Sequence, residues 1–95
     1  EGAAAPPPPL DPITADATMR TLCGRSYYEG SDRYLSCLDQ QRAGFDALLL
    51  RSGTSFGIDE ASFNRARNEC RMEWPHDFVA RDSCERQRAA AGSAP

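Results

Sequence analysis

Four cysteines carry most of the chemistry available to this chain, and their spacing narrows what that chemistry is. Thirteen residues separate Cys23 from Cys37, and thirteen separate Cys70 from Cys84. Structural zinc sites gather their ligands in close Cys-x2-4-Cys pairs, and thiol redox catalysts use Cys-x-x-Cys. Neither spacing occurs here. Disulfide formation is therefore the expected use of all four sulfurs, and no metal or other cofactor is expected. An aromatic residue stands four positions after the first cysteine of each pair (Tyr27, Trp74), and a glutamine three after the second (Gln40, Gln87). That reads as one structural unit used twice.

Other candidates for chemistry have simpler explanations. His76 is the only histidine and lies beside Asp77, but no nucleophile or further acid accompanies the pair, so general acid–base work is not expected of it. Asp77 reads as an acid in the first turn of a helix, favoured by the helix dipole. Glu69 and Glu73 lie four apart, with Arg65 and Arg67 beside them, the pattern of a solvated, ion-paired helix face. Arg81, Arg86 and Arg88 read as a solvent face, with a grip on an acidic partner as the alternative. No catalytic residue is expected.

The elements that must position the cysteines are helices. Residues 1–11 form an Ala/Pro-rich arm in which Pro6, Pro7, Pro8 and Pro9 favour extended polyproline II. A first helix starts at Asp11-Pro12, with aspartate as cap and proline at the first helical position, or a turn later at Thr14. Ala15, Met19, Leu22 and Cys23 share its inner face, and the run Tyr28 to Ser31 ends it. The second helix, about Asp32 to Arg51, has a stripe of Tyr34, Leu38, Gln41, Phe45 and Leu48 at helical spacing. Leu48, Leu49 and Leu50 point three ways around it, so at least one must face solvent or a partner. Residues 52–57 connect the copies. Asp59 then caps a third helix, with Ile58 placed to staple onto Phe63. A turn at Trp74 and a fourth helix from Pro75 or His76 to Arg88 follow, since proline is tolerated at a helix start and costs about 3 kcal/mol inside one. The chain from Ala89 reads as a fraying tail.

Gly30 lies seven residues from both Cys23 and Cys37, so folding back there sets the two sulfurs level. Cys70 and Cys84 are less symmetric about Pro75, and meet only if the turn extends past Asp77 or the helices cross obliquely. Local pairing, 23–37 and 70–84, is the expected arrangement. The alternative keeps each Cys-to-Cys segment as one unbroken helix and nests the pairs as 23–84 and 37–70. In its twin cysteine pairs the chain resembles the coiled-coil-helix-coiled-coil-helix proteins of the mitochondrial intermembrane space, although those use Cx9C spacing. The segment WPHDF with Cys84 and a following glutamine is also similar to small cysteine-paired helical proteins of bacteria, a resemblance that implies a periplasmic setting. Each local bridge would close a loop of about fifteen residues, worth about 3 kcal/mol in a chain-entropy treatment.

Composition sets the remaining bounds. Ninety-five residues with alanine- and proline-rich ends leave a thin core, which cross-links or a partner must supplement. All eleven basic residues are arginine, a usage that a GC-rich genome explains, and the net charge of −3 is mixed in sign along the chain. Nucleic acid, which calls for a basic footprint, is not an expected partner. No apolar run approaches the roughly 20 residues of a membrane span, and no small-molecule substrate is indicated. The opening Glu-Gly-Ala-Ala-Ala-Pro resembles what remains after a leader is cut, and with paired cysteines this places the chain in a periplasm or another extracytoplasmic fluid, the mitochondrial intermembrane space being the alternative.

The sequence thus predicts an all-α fold of two disulfide-stapled hairpins, residues 12–53 and 54–90, between the arm and a tail at 91–95. The expected role is a non-enzymatic accessory subunit docking on a larger protein complex, with a small inhibitor or chaperone of an enzyme as the alternative. The residues expected to meet the partner are Pro6 to Pro9, Tyr28, Leu48, Leu49, Leu50 and Phe56. Tyr27 and Trp74, at equivalent repeat positions, are expected to pack on the disulfides.

Overall fold

Asp11 begins the first helix as the sequence predicts. In the computed structural model, which describes residues 8–51 and 60–93, its Oδ1 accepts from the Ile13 amide at 3.2 Å and its Oδ2 from the Thr14 hydroxyl at 2.6 Å. Pro12 takes the first position of α1 (Pro12–Ser26), whose missing N–H costs nothing there. Ala15, Met19 and Cys23 form its buried stripe. The helix stops at Ser26, sooner than expected, because Tyr27 turns to extended backbone and returns its N–H to the Cys23 carbonyl at 3.1 Å.

A tight turn follows, closed by the Ser31 amide on the Tyr28 carbonyl at 3.0 Å. Gly30 stands third in it with φ +84°, a conformation in which a side chain would be strained. The Ser31 hydroxyl then accepts from the Tyr34 amide at 3.2 Å and so caps α2 (Asp32–Arg51). Every residue of the predicted stripe is buried, from Tyr34 through Leu38, Gln41 and Phe45 to Leu48, and Gly44 and Arg51 join it.

The third helix, α3 (Glu60–Glu73), buries Phe63, Arg67 and Cys70. The connector 52–57 with Phe56, and the expected cap and staple at Asp59 and Ile58, lie outside the described residues. The fourth, α4 (Phe78–Ser93), departs from expectation at both ends. It starts after Asp77 and not at Pro75 or His76, because Asp77 is its cap: Oδ1 accepts from the Ala80 amide at 3.1 Å. It also continues past Arg88 to Ser93, with Ala89 buried, so the expected fraying tail is helical that far.

Both bridges link neighbouring helices, Cys23 with Cys37 and Cys70 with Cys84, each with Cα atoms 5.8 Å apart. The nested alternative is excluded. The doubtful second pair forms because the turn extends through Asp77: α3 ends three residues after Cys70, as α1 does after Cys23, and α4 starts six before Cys84 where α2 starts five before Cys37.

The hairpins associate through α2 and α4, with α1 outside the first and α3 outside the second. These central helices run parallel, since Gln41 meets Asp77 and Phe78 while Arg51, ten residues on, meets Asp82 and Glu85. Gly44 permits the contact; a Cβ there would lie 2.8 Å from the Phe78 carbonyl oxygen. Phe45 and Phe78 meet edge to face, ring centres 5.3 Å apart. Because Gln41 lies nine residues into α2 where it meets the start of α4, the two hairpins are staggered by about 14 Å at 1.5 Å per residue. Among the described residues, the main apolar cluster joins Ala15, Met19, Cys23, Tyr34, Leu38, Phe45 and Leu48 of the first hairpin with Phe78 of the second.

Candidate docking site and a buried ionic cluster

Where α2, α3 and α4 converge, the interior is charged. Glu85 holds Arg67 in a two-pronged pair, Oε2 to Nε at 3.0 Å and Oε1 to Nη2 at 2.9 Å, and its Oε1 also accepts from Arg51 Nη1 at 3.0 Å. Arg51 reaches Asp82 with its other nitrogen, and Arg86 joins Asp82 from the rim at 3.1 Å. Arg67 Nη2 also donates to the Leu48 carbonyl at 2.9 Å, which satisfies one of the carbonyls left open in the last turn of α2. All four central residues are buried, two of each sign, so the cluster is internally neutral. Such a cluster adds little over a well-packed apolar interior, but losing one member strands a buried charge at a cost of about 3–5 kcal/mol.

The structure corrects two sequence expectations here. Arg67 does not belong to a solvated face with Glu69 and Glu73; those two acids pair instead with Arg88 across the hairpin. Arg81 is buried and Arg88 half-buried, which leaves Arg86 as the exposed member of the expected arginine face. Arg81 donates Nε to the Trp74 carbonyl at 3.2 Å and Nη2 to the Pro75 carbonyl at 2.9 Å, and stacks over Phe78 at 5.0 Å. Burial pushes its guanidinium below its ordinary value; Glu85 opposes this, while the positive charges of Arg71 and Arg67 add to it.

Asp77 is committed to structure. Besides capping α4, its Oδ1 accepts from Gln41 Nε2 at 2.9 Å, and Gln41 Oε1 accepts from the buried Phe78 amide at 2.8 Å. Gln41 thus stitches the hairpins together, a role its place on an apolar stripe did not disclose. His76 is exposed beside this arrangement.

The expected docking residues divide. Tyr28 is 90% exposed and Leu50 82%, Leu49 is exposed to a lesser degree, and Pro8 and Pro9 lie on the surface. Leu48 is 1% exposed and belongs to the core, so its assignment as a docking residue is withdrawn. Pro6, Pro7 and Phe56 lie outside the described residues. Tyr27 and Trp74 keep about two-fifths of their surface open in the two turns, at 38% and 42%. The stagger makes the first hairpin's turn the projecting one. A shallow depression of about 580 Å³ opens there among Gly24, Arg25, Tyr27, Tyr28, Ser31 and Arg33.

No known family, characterised protein or solved structure matches the chain. Among the described residues no helix is long and apolar enough to cross a membrane, and no cluster of three potential ligands could hold a metal ion.

Proposed function

We propose that the chain is a non-enzymatic accessory subunit that docks on a larger extracytoplasmic protein assembly, leading with the tip of the first hairpin. The observation that carries this reading is the placement of Tyr28: nearly all its surface is open, on a turn pinned by the Cys23–Cys37 bridge and carried about 14 Å beyond the second hairpin. An aromatic side chain held on a rigid projection loses little freedom on binding, and tyrosine is enriched among residues that dominate interface energetics. Leu49 and Leu50, together with Pro8 and Pro9, supply further open apolar surface. Two disulfides favour an oxidising compartment, a periplasm in the first instance, and accord with the resemblance to small bacterial twin-cysteine proteins. The commitment of Asp77 to capping, and not to His76, supports a role without catalysis.

The test is capture of partners from the native source by the oxidised full-length chain and by Tyr28→Ser and Leu50→Ser variants. Loss of a specific partner from either variant, with helicity and both disulfides retained, is the expected outcome; equal capture by all three overturns the reading. A small inhibitor or chaperone would use the same projecting tip. Stoichiometric one-to-one capture of a single enzyme, with its activity changed, would favour that second reading.

A further inference from the structure

Two arginines, Arg71 and Arg81, share a cavity of about 190 Å³ between the arm, α1 and the α3–α4 turn. Neither Arg71 nor Arg81 makes an ion pair among the described residues. Arg71 gives Nη2 to Asn68 Oδ1 at 3.0 Å, and its Nε is buried without an acceptor. Among the described residues Arg81, 7% exposed, meets the two turn carbonyls and the Phe78 ring, all uncharged. The other polar groups on the wall are already engaged. Thr14 donates to Asp11 and Thr18 to the Thr14 carbonyl. Asp11, the one carboxylate there, is spent on capping α1 and pairs with neither arginine. Glu85, one turn along α4 from Arg81, is held by Arg51 and Arg67.

Two guanidiniums lining one cavity and paired with no carboxylate among the described residues, one of them nine-tenths buried and the other holding a buried N–H donor with no acceptor, are suited to planar or tetrahedral oxyanions. We propose that this cavity is an oxyanion site that takes a carboxylate or phosphate group, with Arg71 Nε as the donor that becomes satisfied on binding. The low polarity of Phe45 and Phe78 on the wall strengthens the attraction.

The experiment uses the oxidised full-length chain, titrated with sodium phosphate and separately with sodium acetate against sodium chloride at constant ionic strength. Backbone amide and arginine Nε–H resonances are followed. Saturable shifts confined to Arg71, Arg81 and the cavity wall are expected with at least one of the two anions. Saturation with phosphate alone assigns the site to phosphate groups, with acetate alone to carboxylates, and with both to oxyanions in general. Arg71→Gln should weaken binding by about tenfold or more, the worth of one charge-assisted hydrogen bond. Arg71→Lys, which keeps the charge and removes Nε, should also weaken it, and Arg86→Gln, outside the cavity, should not. Shifts that stay linear, spread over the exposed arginines or survive in both Arg71 variants overturn the proposal, and so does the absence of any shift in the unaltered chain.

Discussion

Cys23 and Cys70 are wholly buried, Cys84 nearly so, and Cys37 keeps part of its surface open. A thiolate must reach a sulfur along the bridge axis, so the first bridge is the vulnerable one, attacked at Cys37. Glu73 adds protection to the second bridge, its Oε1 lying 3.6 Å from Cys84 Sγ, where a carboxylate repels an incoming anion. Graded reduction followed by alkylation and mass spectrometry is expected to label the Cys23–Cys37 pair first, and Glu73→Gln should narrow the gap between the two. The buried charges yield a second prediction. Glu85→Ala leaves Arg67 and Arg51 without their shared carboxylate and should cost about 3–5 kcal/mol in urea unfolding. Arg67→Met with Glu85→Leu removes one charge of each sign, leaves Arg51 on Asp82, and should cost less than Glu85→Ala alone. The signal for this cluster was present in the sequence: Arg67 stands on the inner stripe between Phe63 and Cys70, where a solvated residue has no place. Its neighbours Glu69 and Glu73 offer a local explanation on the helix surface, whereas its partner Glu85 is on another helix.

The helices themselves were largely legible, because local chemistry decides where each starts. Asp11-Pro12 and Ser31 begin α1 and α2 through hydrogen bonds within three residues. The start of α4 is not legible locally, because Pro75 is permitted at a helix start but does not compel one, whereas Asp77 has Gln41 of another helix to fix it as the cap. Two glycines separate local from tertiary effects. Gly24→Ala meets nothing within 4 Å in α1 and should stabilise by roughly 0.5–1 kcal/mol through helix propensity. Gly44→Ala gains the same propensity, but its Cβ meets backbone at the start of α4, an overpacking cost of about 1–3 kcal/mol that should leave a net loss. Thermal melting of the two variants side by side reads the sign of each. Acid acts on α1. The Asp11 carboxyl is held below the usual range by the Thr14 hydroxyl and then the Ile13 amide, and Asp16 by Arg20 and Arg42. A carboxylate with a lowered folded pKa stabilises above its unfolded pKa, and that contribution is lost as pH falls through the folded value. Amide protection at Ile13 and Thr14, exchange being taken relative to the intrinsic rate at each pH, should therefore fall as pH drops below the ordinary aspartate range, and Asp11→Asn should make it less sensitive to acid.

Across the whole molecule, the two hairpins and their local bridges follow from the repeat, since Gly30 and the turn at Trp74 to Asp77 set each cysteine pair level. Their mutual arrangement does not. The parallel run of α2 beside α4, and the stagger that leaves Tyr28 projecting, depend on Gly44 admitting a backbone and on Gln41 crossing to Phe78, pairings that no spacing within one helix announces. The same covalent layout governs how the chain responds to tension. Each bridge shortcuts a separation of 14 residues to 5.8 Å between Cα atoms. Fully drawn out, each such segment would span roughly 49 Å, at about 3.5 Å per residue. Held by its ends in an optical trap, the oxidised chain should stop lengthening roughly 85 Å short of the reduced one. Sulfur thus makes the chain a tether of limited reach for whatever pulls on its ends.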